Sequence, residues 1–462
     1  MFNKLIAGSA SLAALLLIAG QSVAQPAPDA ERQRINVASE AERARELALL
    51  HITQVQPTKS ARDVNAPDFA NFDESKANPY PMLPALMVMN SGQPVTTPAQ
   101  WQERRKEIFA MFDREIYGRM PANVPGVTWK VTETTHETIG GIPVITKKLV
   151  GHADNSGDPS ITVDILMNVT TPEASHGKGV PVVVNFGSVH PRPFPAGFTL
   201  AQPPLPDYRE QLLLKGWGFA ILDTSSIQAD NGAGLNEGII GLTNHGKPRS
   251  LEDWGVLRAW AWGASRGIDY LETDQDVDAK KLAIFGHSRG GKAALVALAY
   301  EPRFATGFIS SSGAGGAALY RRNFGEGIPN LDAIVEYHWF AGEFLKYDAV
   351  GRTPNELPVD AHELIALVAP RPVFIGGGNL MLSPPNAVPG DGWVDSRGMF
   401  MAAAAASPVW TLLGRPGLQT TEFPPLLTYL GDGDIGFRQH EFGHTPLPNW
   451  SYFIEFASKY FN

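Results

Sequence analysis

Gly286-His287-Ser288-Arg289-Gly290 sets a serine between two glycines, directly after the apolar run Leu282-Ala-Ile-Phe285 and before the small-residue stretch Gly291-Lys292-Ala-Ala-Leu295. A strand, Gly-x-Ser-x-Gly and a helix in that order expose the hydroxyl on a sharp turn, beside the first N–H groups of the helix. Those N–H groups suit an oxyanion, so the chemistry implied is attack of a serine on an acyl carbon. Both glycines are expected to be obligatory, because a Cβ at 286 or 290 would strike the neighbouring strand or helix. In a chain with 46 glycines the five-residue pattern is weak alone. The flanking strand and helix make it specific.

A serine hydroxyl is a poor nucleophile near neutral pH and needs an imidazole base held by a carboxylate. With this kind of elbow the chain order is serine, acid, histidine. His338, His362, His440 and His444 follow Ser288. His444 is favoured: Gly443 frees the backbone beside it, and it stands between an apolar run and the final helix. His440 is its competitor, and spacing alone does not exclude it. For the acid, the loop after Pro372–Ile375 offers Asp391 and Asp395. Asp391 is preferred, since Asp395 also fits a cap for a helix over Ser396–Ala406. Asp432 and Asp434 read better as a turn.

The elements that must carry these groups are visible as periodicity. Val180–Phe186 and Phe219–Leu222 are continuous apolar runs, as in strands buried on both faces. Val127–Thr134, Pro143–Val150 and Ile161–Val169 mix apolar with polar residues, as in antiparallel strands with one wet face. Leu282–Phe285, Ala305–Ser310, Pro372–Ile375 and Leu426–Leu430 continue the series. Helices are expected from Thr97, which can cap, to Gly118, over Arg249–Leu271, and over Trp450–Phe461. The fold class is α/β: a three-layer sandwich whose central sheet is mostly parallel, with antiparallel strands leading in. Ligands of such sheets bind beyond the carboxyl ends of the strands, and Ser288 lies at one.

Composition narrows the setting. The 462 residues, 44% hydrophobic and 18% charged, allow an extensive core. A net charge of -9 with no basic stripe argues against nucleic acid as a partner. There are no cysteines, hence neither disulfides nor a thiol nucleophile. Lys4, the apolar run Leu5–Gly20 and Ser22-Val-Ala24 read as a secretory leader over 1–24, which sends the protein to the periplasm or the medium. That run is short for a membrane span, and none is expected later. Residues 25–95 are expected to be an extension: a loosely held arm with a short helix over Glu40–Leu50, then an irregular stretch punctuated by Pro67, Pro79, Pro81, Pro84 and Pro94. Residues 96–462 form the catalytic domain in this reading, and the protein is expected to be a monomer.

With these residues in view, the chain from about Leu83 onward resembles the glucuronoyl esterases, α/β-hydrolases that cleave esters of glucuronic acid in plant cell walls. The resemblance is carried by Gly286-His-Ser-Arg-Gly-Gly-Lys292, Ser312-Gly-Ala-Gly-Gly316, Tyr337-His-Trp-Phe340, His362-Glu-Leu-Ile-Ala-Leu-Val-Ala-Pro-Arg-Pro372, Asp391-Gly-Trp-Val-Asp395 and Gly443-His-Thr445. It implies that Arg289 helps to stabilise the oxyanion, that Lys292 and Glu326 contact sugar hydroxyls, and that Trp393 lines the uronate site. A flat indole face suits a pyranose ring. The implied substrate is a glucuronic acid ester or glucuronoxylan fragment, and no metal or organic cofactor is implied. One position departs from many members, which keep the catalytic glutamate where this chain has Ser311. Other members carry the acid on the later loop, where Asp391 stands. A carbohydrate acetylesterase or general carboxylesterase is the nearest alternative. An inactive carbohydrate-binding hydrolase fold and a serine peptidase lie further off.

Overall fold

A computed structural model of the chain describes residues 28–60, 65–190, 205–379 and 390–461; the expected leader lies outside them. In chain order the helices and strands are α1 (Pro28–Leu49), α2 (Pro98–Glu115), β1 (Val127–Ile139), β2 (Ile142–Ala153), β3 (Asp164–Pro172), β4 (Val180–Gly187), α3 (Tyr208–Leu214), β5 (Gly218–Asp223), α4 (Gly238–Thr243) and α5 (Val256–Leu271). They continue with β6 (Val277–His287), α6 (Arg289–Tyr300), β7 (Thr306–Ser310), α7 (Ile328–Leu331), α8 (Ala361–Ala366), β8 (Val373–Gly377), α9 (Ser396–Leu412), β9 (Tyr429–Leu430), β10 (Ile435–Gln439) and α10 (Trp450–Ser458).

The strands form one sheet in the order β1-β2-β3-β5-β4-β6-β7-β8-β10-β9. The run from β5 through β4, β6, β7 and β8 to β10 is parallel, while β1, β2 and β3 lead in antiparallel. This is the α/β-hydrolase arrangement. Because helices cover both faces of the parallel part, its strands are apolar at successive positions. Val182, Val184, Leu282, Ile284, Ile309 and Ile375 face a core shared with α2, α5, α6, α8 and α9. Val183, Phe285, Phe308 and Phe374 face the opposite side, against α3 and α10. There Trp450, fully buried, stacks on Tyr208 at 4.6 Å and meets Phe285 edge-on at 4.5 Å.

Several expectations need correction. α1 starts at Pro28 rather than Glu40 and is firmly docked: Glu46 and Arg249, both fully buried, pair at 2.8 Å. Arg249 also donates to the Phe340 carbonyl, so its guanidinium ties α1 to a segment beside the site. That use of Arg249 keeps it out of a helix, and α5 begins only after Gly255. The start of α2 matches expectation, with Thr97 and Gln100 forming a reciprocal capping box. Of Leu426–Leu430 only Tyr429–Leu430 is strand; the strand that delivers the histidines is β10. Gly436 and Arg438 interrupt its apolar pattern, yet Arg438 is buried, bonded to Asn449 and lying over the Tyr452 ring. Among the described residues no helix is long and apolar enough to cross a membrane.

Candidate active site

Strand β6 ends at His287 and α6 begins at Arg289, so Ser288 alone makes the turn. Its backbone is at φ 56°, ψ -130°, a conformation that costs a non-glycine residue about 1–3 kcal/mol and recurs at functional sites. Gly286 is obligatory: a Cβ there would lie 1.9 Å from the Gly290 carbonyl oxygen. Gly290 differs from expectation, because a Cβ at that position would meet only Phe186, at an ordinary 3.9 Å. The second crowded glycine is Gly291, where a Cβ would come within 2.7 Å of the Ser310 carbonyl. The N–H groups of Arg289 and Gly290 open the helix, where the backbone offers no intrahelical acceptor, and among the described residues neither has a backbone acceptor outside it.

His444 Nδ1 lies 2.6 Å from Asp391 Oδ1, and both His444 and Ser288 line one cavity. Asp391 is fully buried and comes from the loop after β8. Burial alone would raise its carboxyl. Hydrogen bonds from His444, Ser311 and the Gly378 N–H, together with the charge His444 can carry, outweigh that and hold it below the usual carboxylate range. An ionised carboxylate only accepts, so Nδ1 of His444 carries the proton and Nε2 presents its lone pair. Ser311 Oγ donates to Asp391 Oδ2 at 2.6 Å. Ser311 therefore touches the carboxylate that the later loop supplies.

The competing residues are occupied otherwise. His440 is fully buried, its Nε2 2.8 Å from the Thr445 carbonyl and its Nδ1 accepting from Phe442 N–H. Asp395 caps α9 through Gly398 N–H and pairs with Arg322 at 2.7 Å, as its alternative reading held. His362 Nε2 bonds the Pro84 carbonyl, and His338 pairs with Asp230. His287 packs on His444 with ring centres 4.3 Å apart. Burial, with the proximity of His444, pushes its imidazole down to about 3, so it stays neutral.

A second group of polar residues lies one turn along α6. Lys292, 3% exposed, donates to Glu326 Oε2 and to the Ala314 carbonyl, each at 2.6 Å. It is therefore not a solvated helix lysine. Gly313, at φ 64°, leaves room for the pair, since a Cβ there would lie 2.5 Å from Glu326 Oε2. Trp393, half-buried, follows Asp391 on the same short 3-10 turn, and its carbonyl accepts from Glu326 N–H. Glu336 belongs to the group although sequence reasoning passed over it. Among the described residues its buried Oε2 has no partner, and burial with the nearby Glu326 pushes its carboxyl up to about 8. The only signal was its place beside the Tyr337–Phe340 motif. Arg289 Nε pairs with Asp230 Oδ2 at 2.6 Å. Neither Asp230 nor Ser311 carried any motif that marked it as a contributor.

A cavity of about 810 Å³ is walled by Phe186, Tyr208, Trp260, Pro446 and Leu447 beside Ser288, Arg289 and His444. Lys292, Glu326 and Trp393 do not line it. The cavity therefore offers an aromatic wall fit for an apolar group beside Ser288, while the buried Lys292–Glu326 pair lies one turn along α6. Among the described residues no group of three or more His, Asp or Glu is placed to hold a metal ion.

Comparison with known proteins gives the family. Residues 248–414 match the family described as "Glucuronyl esterase, fungi". The chain is 30% identical over 442 residues to "Carbohydrate esterase MZ0003" from an unknown prokaryotic organism, covering 89% of this chain and 96% of that protein. It is 29% identical over 378 residues to a "4-O-methyl-glucuronoyl methylesterase" of Schizophyllum commune, covering 80% of this chain and 82% of the other. Among solved structures, a family 15 carbohydrate esterase from Teredinibacter turnerae, titled a glucuronoyl esterase, superposes with a TM-score of 0.82 at 39% identity, covering 92% of this chain and 100% of that one.

Proposed function

Since the chain belongs to the glucuronoyl esterase family, we propose that it hydrolyses esters of glucuronic acid and its 4-O-methyl form through an acyl-enzyme on Ser288. The observation that carries this reading is the contact of the buried carboxylate of Asp391 with His444, which lines one cavity together with Ser288. His444 Nε2 takes the hydroxyl proton as Ser288 Oγ attacks the C6 carbonyl of the uronate. Arg289 and the N–H groups at the start of α6 receive the oxyanion, and a donor of this kind is worth about 3 kcal/mol in the transition state. His444 returns the proton to the departing alcohol, then activates water to release glucuronate. Lys292, Glu326 and Trp393 hold the sugar, and the aromatic cavity takes the alcohol.

The leader over 1–24 supports export, with the mature chain acting as a monomer on glucuronoxylan fragments outside the cytoplasm. The test offers benzyl or methyl glucuronate alongside acetylated xylan. Release of glucuronate, abolished in Ser288→Ala, is expected; turnover of the acetyl substrate alone refutes the assignment. Labelling of Ser288 by a fluorophosphonate separates an esterase from an inactive binding fold, which would not react.

A further inference from the structure

We infer that Asp230 is the positioning residue for Arg289, gripping one edge of the guanidinium so that the other edge is held ready for the oxyanion. The inference rests on the reading of Ser288 as nucleophile and Arg289 as an oxyanion donor. Asp230 uses its two oxygens differently. Oδ2 pairs with Arg289 Nε at 2.6 Å, while Oδ1 meets His338 Nε2 at 3.0 Å and accepts from Trp339 Nε1 at 2.6 Å. Among the described residues the terminal amino groups of Arg289 have no acceptor, and Arg289 lines the cavity with Ser288 and His444. A lysine could not do both jobs, because one ammonium cannot be held at one edge and present a second.

The grip is anchored from beneath. His338 is fully buried and Trp339 nearly so. The Phe340 carbonyl accepts from Arg249, and Tyr337 Oη donates to the Ser39 carbonyl of α1. The loop carrying Asp230 lies hard against this segment, since a Cβ on Gly232 would fall 2.1 Å from Tyr337 Oη. Asp230 is thus fixed by donors that cannot move, and Arg289, 56% exposed at its side chain, depends on it for a defined direction. A half-exposed ion pair contributes only about 0–1 kcal/mol to folding, so stability does not account for such an arrangement.

Asp230→Asn is the decisive variant: its oxygen still serves His338 and Trp339, while a neutral amide replaces the charge that pairs with Arg289. We expect kcat on benzyl glucuronate to fall by roughly tenfold to a hundredfold, with KM changed by less than about threefold, as for loss of a transition-state contact. Asp230→Glu should recover part of the loss. In an Arg289→Ala background the same Asn change should alter kcat by less than about twofold, because residues acting as one unit are not additive. If Arg289→Ala is impaired but Asp230→Asn retains parental kcat, the inference is overturned and the reading of Arg289 stands. Losses that multiply in the double variant also overturn it, by showing that Asp230 acts elsewhere. If Arg289→Ala keeps full activity, the oxyanion assignment falls first, and the inference with it.

Discussion

Replacement of Asp391 by asparagine tests the acid in a way the structure makes unusually specific. Asp391 Oδ2 receives Ser311 Oγ–H and the Gly378 N–H, while Oδ1 receives Nδ1–H of His444. Ser311 can reverse its hydroxyl, but a backbone N–H can only donate. The asparagine oxygen is therefore drawn to the Oδ2 place, and its NH2 is left facing His444. Nδ1 must then accept, the ring proton moves to Nε2, and the nitrogen that should take the serine proton already holds one. A wrong tautomer of this kind costs about 10⁴ in kcat, or about 5 kcal/mol of transition-state stabilisation, with KM nearly unchanged. Asp391→Ala removes the carboxylate without dictating the tautomer, so it should retain more activity than Asp391→Asn despite a lower melting temperature. The assay is the initial rate on benzyl glucuronate, with Ser288→Ala as the floor and Asp395→Asn, which touches only the α9 cap and Arg322, as the control. Asp391→Asn at or above the alanine variant would refute the tautomer reasoning. Full activity in Asp391→Asn with loss in Asp395→Asn would refute the acid assignment.

Three further outcomes follow from the same geometry. Gly286→Ala drives a Cβ into backbone and should cost about 3 kcal/mol or more in unfolding free energy, whereas Gly290→Ala meets nothing closer than 3.9 Å and should leave the fold intact, gaining up to about 1 kcal/mol of helix propensity. Lys292→Ala strands the buried Glu326 carboxylate and should destabilise by about 3–5 kcal/mol, while Lys292→Met with Glu326→Leu should regain most of the stability and none of the affinity for the sugar acid. Burial pushes the Asp348 carboxyl up to about 7, despite Arg43. Between its unfolded value near 4 and that folded value the native state keeps a proton that the unfolded chain has lost, so stability contributed at this group is lost as pH rises through the window. Asp348→Asn should therefore gain on the parent in thermal midpoint from about pH 4 to 7 and level off above; a constant difference across that range would refute the shift.

What could be read in the chain without its structure divides along a physical line. Periodicity reports burial, so β4, β5 and the elbow strand β6, apolar because both faces are covered, were visible at once. Strand β10 was not, because Arg438 interrupts it, and nothing local reveals that this guanidinium is buried against Asn449 and Tyr452. The loosely held arm proved to be a docked helix for the same reason: Glu46 looks like an ordinary surface residue until Arg249 is brought to it.

The site divides the same way, and the division says where the chemistry is controlled. Ser288, Arg289 and Lys292 sit in one short motif, so a local rule proposes them, but their surroundings are set by residues that no local rule connects to them. Asp391 is brought to His444 from the loop after β8, and its carboxyl is held low first by His444 and then by Ser311 and the Gly378 N–H. Arg289 is aimed by Asp230, which is itself held by His338 and Trp339. Lys292 is buried against Glu326 and the Ala314 carbonyl, both distant from it in sequence. Reactive groups can be named from a motif because their identity is required by the reaction. Their partners need only deliver a carboxylate or hydroxyl to the right point, and several positions in the chain can do that. Ser311 is an example: in the proposed site it gives a hydroxyl donor to Asp391, which the later loop supplies.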